Sequence, residues 1–264
     1  MVAKEHRTLQ GANEACPVAV SLRGDIAVLT FERAAKRNAI NDAMADGLRA
    51  FFTNPPKDVR AVVIAGSGGH FSAGLDLGEQ SEREPVEVLR HSRRWHDLMD
   101  MIQFGGLPVV AALTGSVIGG GLEIAASCHV RVAEPSAMYQ LPEGRHGIFV
   151  GGGASVRVAR IIGQGRMCEM MLTGRIYKAE DGQQLGLSHY LVEEGAGMAK
   201  AQELALRIAE NTPMANYAMV TAIQRISNMS TDDGFYVESL AAGLTQTSPE
   251  IAARIGSFLK GKRG

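Results

Sequence analysis

An α/β fold is what this sequence predicts, on three observations. Short apolar runs bounded by turn residues alternate with helix-length amphipathic stretches as far as about residue 192. The run at 61–65 is continuous enough to be buried on both faces, as strands of a parallel sheet are, and 107–113 reads as a second buried strand. From residue 198 only helical patterning remains, so interleaved strands and helices give way to an all-helical tail.

Composition narrows the class. The 264 residues suffice for one large domain or one domain with an appendage, and 45% hydrophobic residues supply its core. A formal net charge of −1 gives no bulk attraction to a polyanion, so no nucleic-acid partner is expected. The cysteines, Cys16, Cys128 and Cys168, are odd in number and widely spaced. They offer neither a disulfide framework nor a CxxC metal pair, which points to a reducing, cytoplasmic compartment. No apolar run approaches the roughly 18 residues of a membrane helix, so no membrane association is expected. Residues 1–16 are polar and are expected to form a flexible arm, not a signal peptide.

Taken in order, 18–22 and 26–31 are strands joined by a hairpin turn at Arg23-Gly24-Asp25. After a polar connection, Asn41 caps a helix to about residue 52, which buries Met44, Leu48, Phe51 and Phe52 and stops at Asn54-Pro55-Pro56. A strand over 59–65 runs into a glycine-rich loop, 66–77. Residues 79–104 are helical, with Val86, Leu89, Trp95, Leu98, Met99 and Ile102 as apolar positions, and Gly105-Gly106 ends them. The strand at 107–113 leads to three consecutive glycines, 119–121, at a loop-to-helix junction. There the backbone can approach a ligand closely and the first helical turn presents unpaired N–H groups. Glu123 lies in that turn, as a helix-start charge or as an acid or base. Strands follow at 129–133 and 137–141, then Pro142-Glu143, a second glycine run at 151–153 and a helix from 154. A last strand is expected at 188–192 and a hinge at 193–197. Three or four amphipathic helices, broken near Pro213, Gly234 and Pro249, complete the chain. The expected organisation is an arm (1–16), a core (17–195) and a helical region (196–264).

Several chemistries are set aside. There is no G-x-S-x-G elbow and no H-E-x-x-H, and the seven histidines lack metal-ligand spacing. Neither glycine run is followed by Gly-Lys-Ser/Thr or has dinucleotide-fingerprint spacing. What remains is two glycine loops feeding helix starts and two glutamates, Glu123 and Glu143, twenty positions apart. Arg37-Asn38-Ala39, the F-S-A-G-x-D-L loop at 71–77, G-x-x-x-G-G-G-x-E at 115–123, and Pro142-Glu143 occur here in one order. In that order and spacing the chain resembles the crotonase (enoyl-CoA hydratase/isomerase) superfamily, from about residue 18 to the C-terminal helices.

The resemblance implies a crotonase-like spiral of ββα turns with a helical C-terminal oligomerisation region, assembled as a homotrimer or a dimer of trimers. It implies an acyl-CoA thioester substrate, with CoA part of that substrate, and neither cofactor nor metal. Carried over by position, the backbone N–H groups of Leu75 and Gly120 would form an oxyanion hole for the thioester enolate. One such donor is typically worth about 2.7–4 kcal/mol in the transition state. Ala35, Lys36, Arg37, Ala73, Gly74 and Asp76 would meet substrate or CoA, although Asp76 also suits organising its own loop. Glutamates at both positions resemble the hydratases, and Gly151 would offer its N–H to the attacking water. Glu123 would then deprotonate the water and Glu143 protonate Cα, with the reversed roles, or both carboxylates on a single water, as the alternatives. Isomerase, hydroxycinnamoyl-CoA hydratase-lyase and decarboxylase share the same enolate. A non-catalytic acyl-CoA- or RNA-binding homologue is the alternative of another class. Trp95 and Met99 suit core better than an acyl pocket, Arg90, Arg93 and Arg94 a solvated helix face, and His146 a solvent-facing loop. Three positions depart from the family pattern: Ala34 after Arg33, Thr114 before Gly115, and His129 after Cys128.

Overall fold

The computed structural model describes residues 6–10, 16–79, 84–247 and 251. Its strands, in chain order, are β1 (His6–Gln10), β2 (Val18–Arg23), β3 (Ile26–Phe31), β4 (Ala61–Gly66), β5 (Val109–Leu113), β6 (Ser116–Ile118), β7 (Val130–Ala133), β8 (Met138–Gln140), β9 (Tyr177–Lys178) and β10 (Tyr190–Leu191). Seven of them form one sheet in the order β1-β2-β3-β4-β5-β7-β10. The first three run antiparallel, and from β3 to β10 every neighbour is parallel. The expected flexible arm over 1–16 is therefore corrected at His6–Gln10, which adds an edge strand to β2.

The apolar run of β4 is buried on both faces for the reason its sequence gives. Val62 and Ile64 enter the larger core, while Ala61, Val63 and Ala65 enter a second, smaller one. The larger core lies under α1 (Asp42–Thr53), α2 (Pro85–Phe104) and α3 (Gly120–Ser127). Asn41 caps α1 by accepting from Met44 N–H, and Pro85 opens α2 with a capping box at Glu84 and Glu87.

A second sheet, β6-β8-β9, alternates along the chain with the last strands of the first. Single parallel bridges, Ser72 to Val117 and Ile40 to Leu75, bring the 71–77 loop alongside it. Asn38 fastens the same loop from below. It is fully buried, accepts from Arg33 N–H, and donates to the carbonyls of Ser67 and His70. Its φ of 55° is one that asparagine tolerates better than most residues.

The remaining helices are α4 (Ala154–Ile162), α5 (Gln164–Thr173), α6 (Ala179–Gln184), α7 (Gly197–Ala209), α8 (Pro213–Ile226) and α9 (Thr231–Gln246). Helix α7 falls in the tail assigned above to oligomerisation, yet its Ala201, Leu204, Ala205 and Ala209 close the smaller core against the sheet. Its start is pinned, because Gly197 N–H donates to buried Glu134 at 2.8 Å. Helices α8 and α9 pack on each other and expose apolar side chains, among them Phe235, Leu240 and Leu244. Pro213 opens α8 as expected, but Gly234 does not break a helix. It lies inside α9, where a Cβ would sit 3.2 Å from Ile226 Cγ2, so its bareness lets α9 approach α8. The break falls at 227–230, where Ser230 caps α9, and Pro249 lies outside the described residues.

Candidate active site

A cavity of about 310 Å³ opens where the 73–77 loop, α2, the β6–α3 junction and the 142–152 segment meet. Two glycines set the spacing of its floor. Gly74, at φ 93°, lies so close to the β6–α3 junction that a Cβ would fall 2.8 Å from Ile118 O and 3.3 Å from Gly120 N. Gly119, at φ 51°, is the residue before α3, and a Cβ there would meet Glu143 Oε1 at 3.1 Å. A Cβ at Gly74 would collide with backbone and one at Gly119 would press on the Glu143 carboxylate, and both positions have backbone angles that favour glycine.

Leu75 is held from both sides. Ile40 N–H donates to Gly74 O, and Asp76 N–H donates to Ile40 O. Strand alternation then turns the N–H of Leu75 away from Ile40. Gly120 N–H stands in the first turn of α3, where a helix leaves its donors unpaired. Leu75 and Gly120 both line the cavity, and neither N–H donates to a protein acceptor among the described residues.

Both glutamates reach this cavity. Glu123 is only 5% exposed, and its Oε1 accepts from Gly152 N–H at 2.8 Å and Ala154 N–H at 3.0 Å. Burial pushes its carboxyl above the ordinary range, opposed by those amides and by the Arg157 charge. Glu143, 8% exposed, comes from a short 3-10 turn, Glu143–His146. Burial, with a further push from the Glu123 charge, raises it to about 7, against its own backbone N–H. Its Oε2 is buried without a hydrogen-bond partner. One carboxylate is thus fixed by amides while the other keeps an unpartnered oxygen, an arrangement that separates a base from an acid.

The other predicted positions divide. Ala73, Gly74 and Gly151 line the cavity, whereas Ala35, Lys36, Arg37 and Asp76 do not. Asp76 instead clasps its loop: Oδ2 accepts from Lys36 Nζ at 2.8 Å and from Arg33 at 2.9 Å. Lys36, and then Arg33, hold its carboxyl below the usual range. Lys36 belongs to the 3-10 turn Ala34–Lys36, so the clasp ties that turn to the loop whose backbone frames the cavity. Gly151 enters through its carbonyl, which accepts from Ser92 Oγ at 2.7 Å, while the glycine N–H that reaches Glu123 is that of Gly152.

Trp95 is both core and wall. It is buried and lines the cavity, with its ring against Gly120, whereas Met99 is core alone. His146 is exposed at the cavity mouth, and Arg90, Arg93 and Arg94 are exposed on α2. His129 has a structural use: Nδ1 accepts from Val109 N–H and Nε2 faces Gln103 O, with burial lowering it to about 4. The neutral ring therefore donates from Nε2. Ser92, His91 and Arg157 were not legible as site residues. The spacing 88–92–95 on one face of α2 was the available signal for Ser92, but it reads equally as helix patterning. Among the described residues, no group of His, Cys, Asp or Glu could hold a metal ion.

Comparison with known proteins gives the chain's family. The family model described as "Enoyl-CoA hydratase/isomerase" matches residues 22–259. The chain is 31% identical to the short-chain-enoyl-CoA hydratase of Clostridium acetobutylicum, over 93% of this chain and 95% of that protein. It is 30% identical to the 2,3-dehydroadipyl-CoA hydratase of Escherichia coli, over 91% and 94%. A solved structure from Rhodopseudomonas palustris, provisionally described as an enoyl-CoA hydratase, is 47% identical with a TM-score of 0.92, covering 96% of this chain and 98% of that one.

Proposed function

The chain belongs to the enoyl-CoA hydratase/isomerase family, and we propose that it adds water syn across a trans-2-enoyl-CoA to give a 3-hydroxyacyl-CoA. It is on this reading a hydro-lyase. The observation that carries it is the pairing of an amide-held Glu123 with a Glu143 that keeps one oxygen unpartnered, on a single cavity. An isomerase, which shuttles one proton, needs only one such carboxylate.

The thioester oxygen would lie between Leu75 N–H and Gly120 N–H, where charge grows as the enolate forms. Glu123 takes a proton from the attacking water while the water oxygen bonds Cβ. Glu143, raised to about 7 and so partly protonated near neutrality, gives its proton to Cα. One water is consumed, and the proton on Glu123 returns to Glu143 through solvent. No electron acceptor or metal is needed, and CoA is part of the substrate. Its adenine would rest on main chain around Ala35, Lys36 and Arg37, beyond the Asp76 clasp.

The acyl tail would run along Val88, Trp95, Ile148 and Phe149, which form an apolar wall. Relatives of 31% and 30% identity are described as a short-chain-enoyl-CoA hydratase and a 2,3-dehydroadipyl-CoA hydratase, so similarity alone does not choose the tail. Exposed apolar side chains on α8 and α9 support a homotrimer or dimer of trimers. Three free thiols suit a reducing, cytoplasmic setting. The test is a panel of short, long, branched and aromatic enoyl-CoAs followed by loss of the conjugated-thioester absorbance. Turnover to 3-hydroxyacyl-CoA supports the proposal. Binding of RNA with strong salt dependence and no turnover of any member would replace it with a binding role.

A further inference from the structure

The amides that hold Glu123 are themselves held from behind, and by one helix. Gly151 C=O and Gly152 N–H belong to a single planar peptide group. Ser92 Oγ, on α2, donates to that carbonyl at 2.7 Å, while the N–H on the opposite side donates to Glu123 Oε1 at 2.8 Å. A peptide whose oxygen accepts a hydrogen bond is polarised and donates more strongly through its N–H. The next carbonyl along the turn is held as well. Arg157 Nη1 approaches Gly152 O at 3.4 Å, and the guanidinium is anchored back on α2 through Gln103 Oε1 at 2.6 Å and Asp100 Oδ1. The Arg157 side chain is itself mostly buried. These peptides precede α4, whose first amide, Ala154 N–H, is the second donor to Glu123.

We propose that Ser92 and Arg157 are positioning residues for Glu123, clasping the Gly151 and Gly152 carbonyls from α2 so that the turn holds Gly152 N–H and Ala154 N–H on the carboxylate. This deepens the hydratase proposal, on which only its kinetic consequence rests. Neither residue touches the reacting atoms in this account. Because α2 also supplies Trp95 and Val88 to the cavity wall, the clasp sets the base and the acyl wall by one rigid element.

Two measurements test it. In kinetics with crotonyl-CoA, Ser92→Ala and Arg157→Gln are expected to lower kcat roughly tenfold with KM little changed, short of the ~10²-fold that an ångström of misplacement can cost. Ser92→Thr, which keeps the hydroxyl, restores the rate. The second needs no turnover: the Glu123 carboxyl is titrated by infrared difference between wild type and Glu123→Gln, then in each clasp variant paired with Glu123→Gln. The charges that act with Glu123 are Arg157 on α4 and Glu143 from its 3-10 turn, and His91 on α2 and His146 are the other titratable groups on the same cavity. Ser92 carries no charge, so the expected rise of the Glu123 midpoint in Ser92→Ala and its return in Ser92→Thr report the amide donors alone. Arg157→Gln also removes a charge that lowers Glu123 and is judged by its kinetics. An unmoved midpoint in folded Ser92→Ala overturns the proposal, whether or not the protein hydrates enoyl-CoA. If Arg157→Gln does not fold, Ser92→Ala alone decides. Failure of the wild type to turn over any enoyl-CoA would instead overturn the hydratase reading.

Discussion

At the scale of single residues, function depends on what glycine omits and on what burial does to two carboxyls. Gly74→Ala would drive a Cβ into Ile118 O and Gly120 N at a φ that alanine resists. The expected result is a folded protein less stable by about 1–3 kcal/mol, with hydration cut on the order of 10²-fold because the donors are pushed apart. Thermal unfolding and steady-state kinetics of the variant check both halves. Glu143, raised from 4.5 to about 7, makes two linked predictions. The protonated acid prevails below that midpoint, so hydration should fall as pH rises through 7. The native state then binds more protons than the unfolded state between pH 4.5 and 7, so stability is full below that window and is lost across it as pH rises. Glu143→Gln should remove this loss and be the more stable protein at pH 8, by on the order of 1–2 kcal/mol after allowing for solvent in the cavity. Denaturant unfolding at pH 5 and 8 measures it. Glu123, Glu143, Gly120 and the 73–75 loop were legible because motif spacing marks them. Ser92 and Arg157 were not, since a serine on a helix face and an arginine in a helix acquire meaning only when their partners, 59 and 54 positions away, are known.

At the scale of elements, the sequence announced most helices and strands through apolar periodicity, and its misplacements have physical causes. His6–Gln10, HRTLQ, carries no alternating apolar pattern in its sequence, and it pairs as a strand on the edge that β2 offers. Helix α7 was grouped with the tail because local pattern cannot say which surface an apolar stripe meets. Its alanines fit it closely onto the alanine-bearing face of the sheet. Leu204→Ala is therefore expected to cost about 2–4 kcal/mol with a midpoint independent of protein concentration. Phe235→Glu on α9, where the native side chain is 62% exposed, should leave monomer stability nearly unchanged and weaken self-association. Unfolding at two protein concentrations separates these outcomes. Gly234 read as a helix break because glycine usually is one, and only the closeness of Ile226 reveals the packing reason.

At the scale of the whole molecule, one sheet carries two cores, and the larger positions the cavity while the smaller, under α7, braces it from behind. The exposed apolar faces of α8 and α9 predict a trimer or hexamer in light scattering, and a stable monomer would contradict that assembly. The central claim concerns the cavity itself: two buried glutamates divide the work of adding one water. The most direct measurement is crotonyl-CoA hydration by wild type, Glu123→Gln and Glu143→Gln, with CoA-ester binding measured beside it. Loss of kcat by several orders of magnitude in each variant, with binding nearly intact, is the predicted result. Full hydration by either variant would contradict the account.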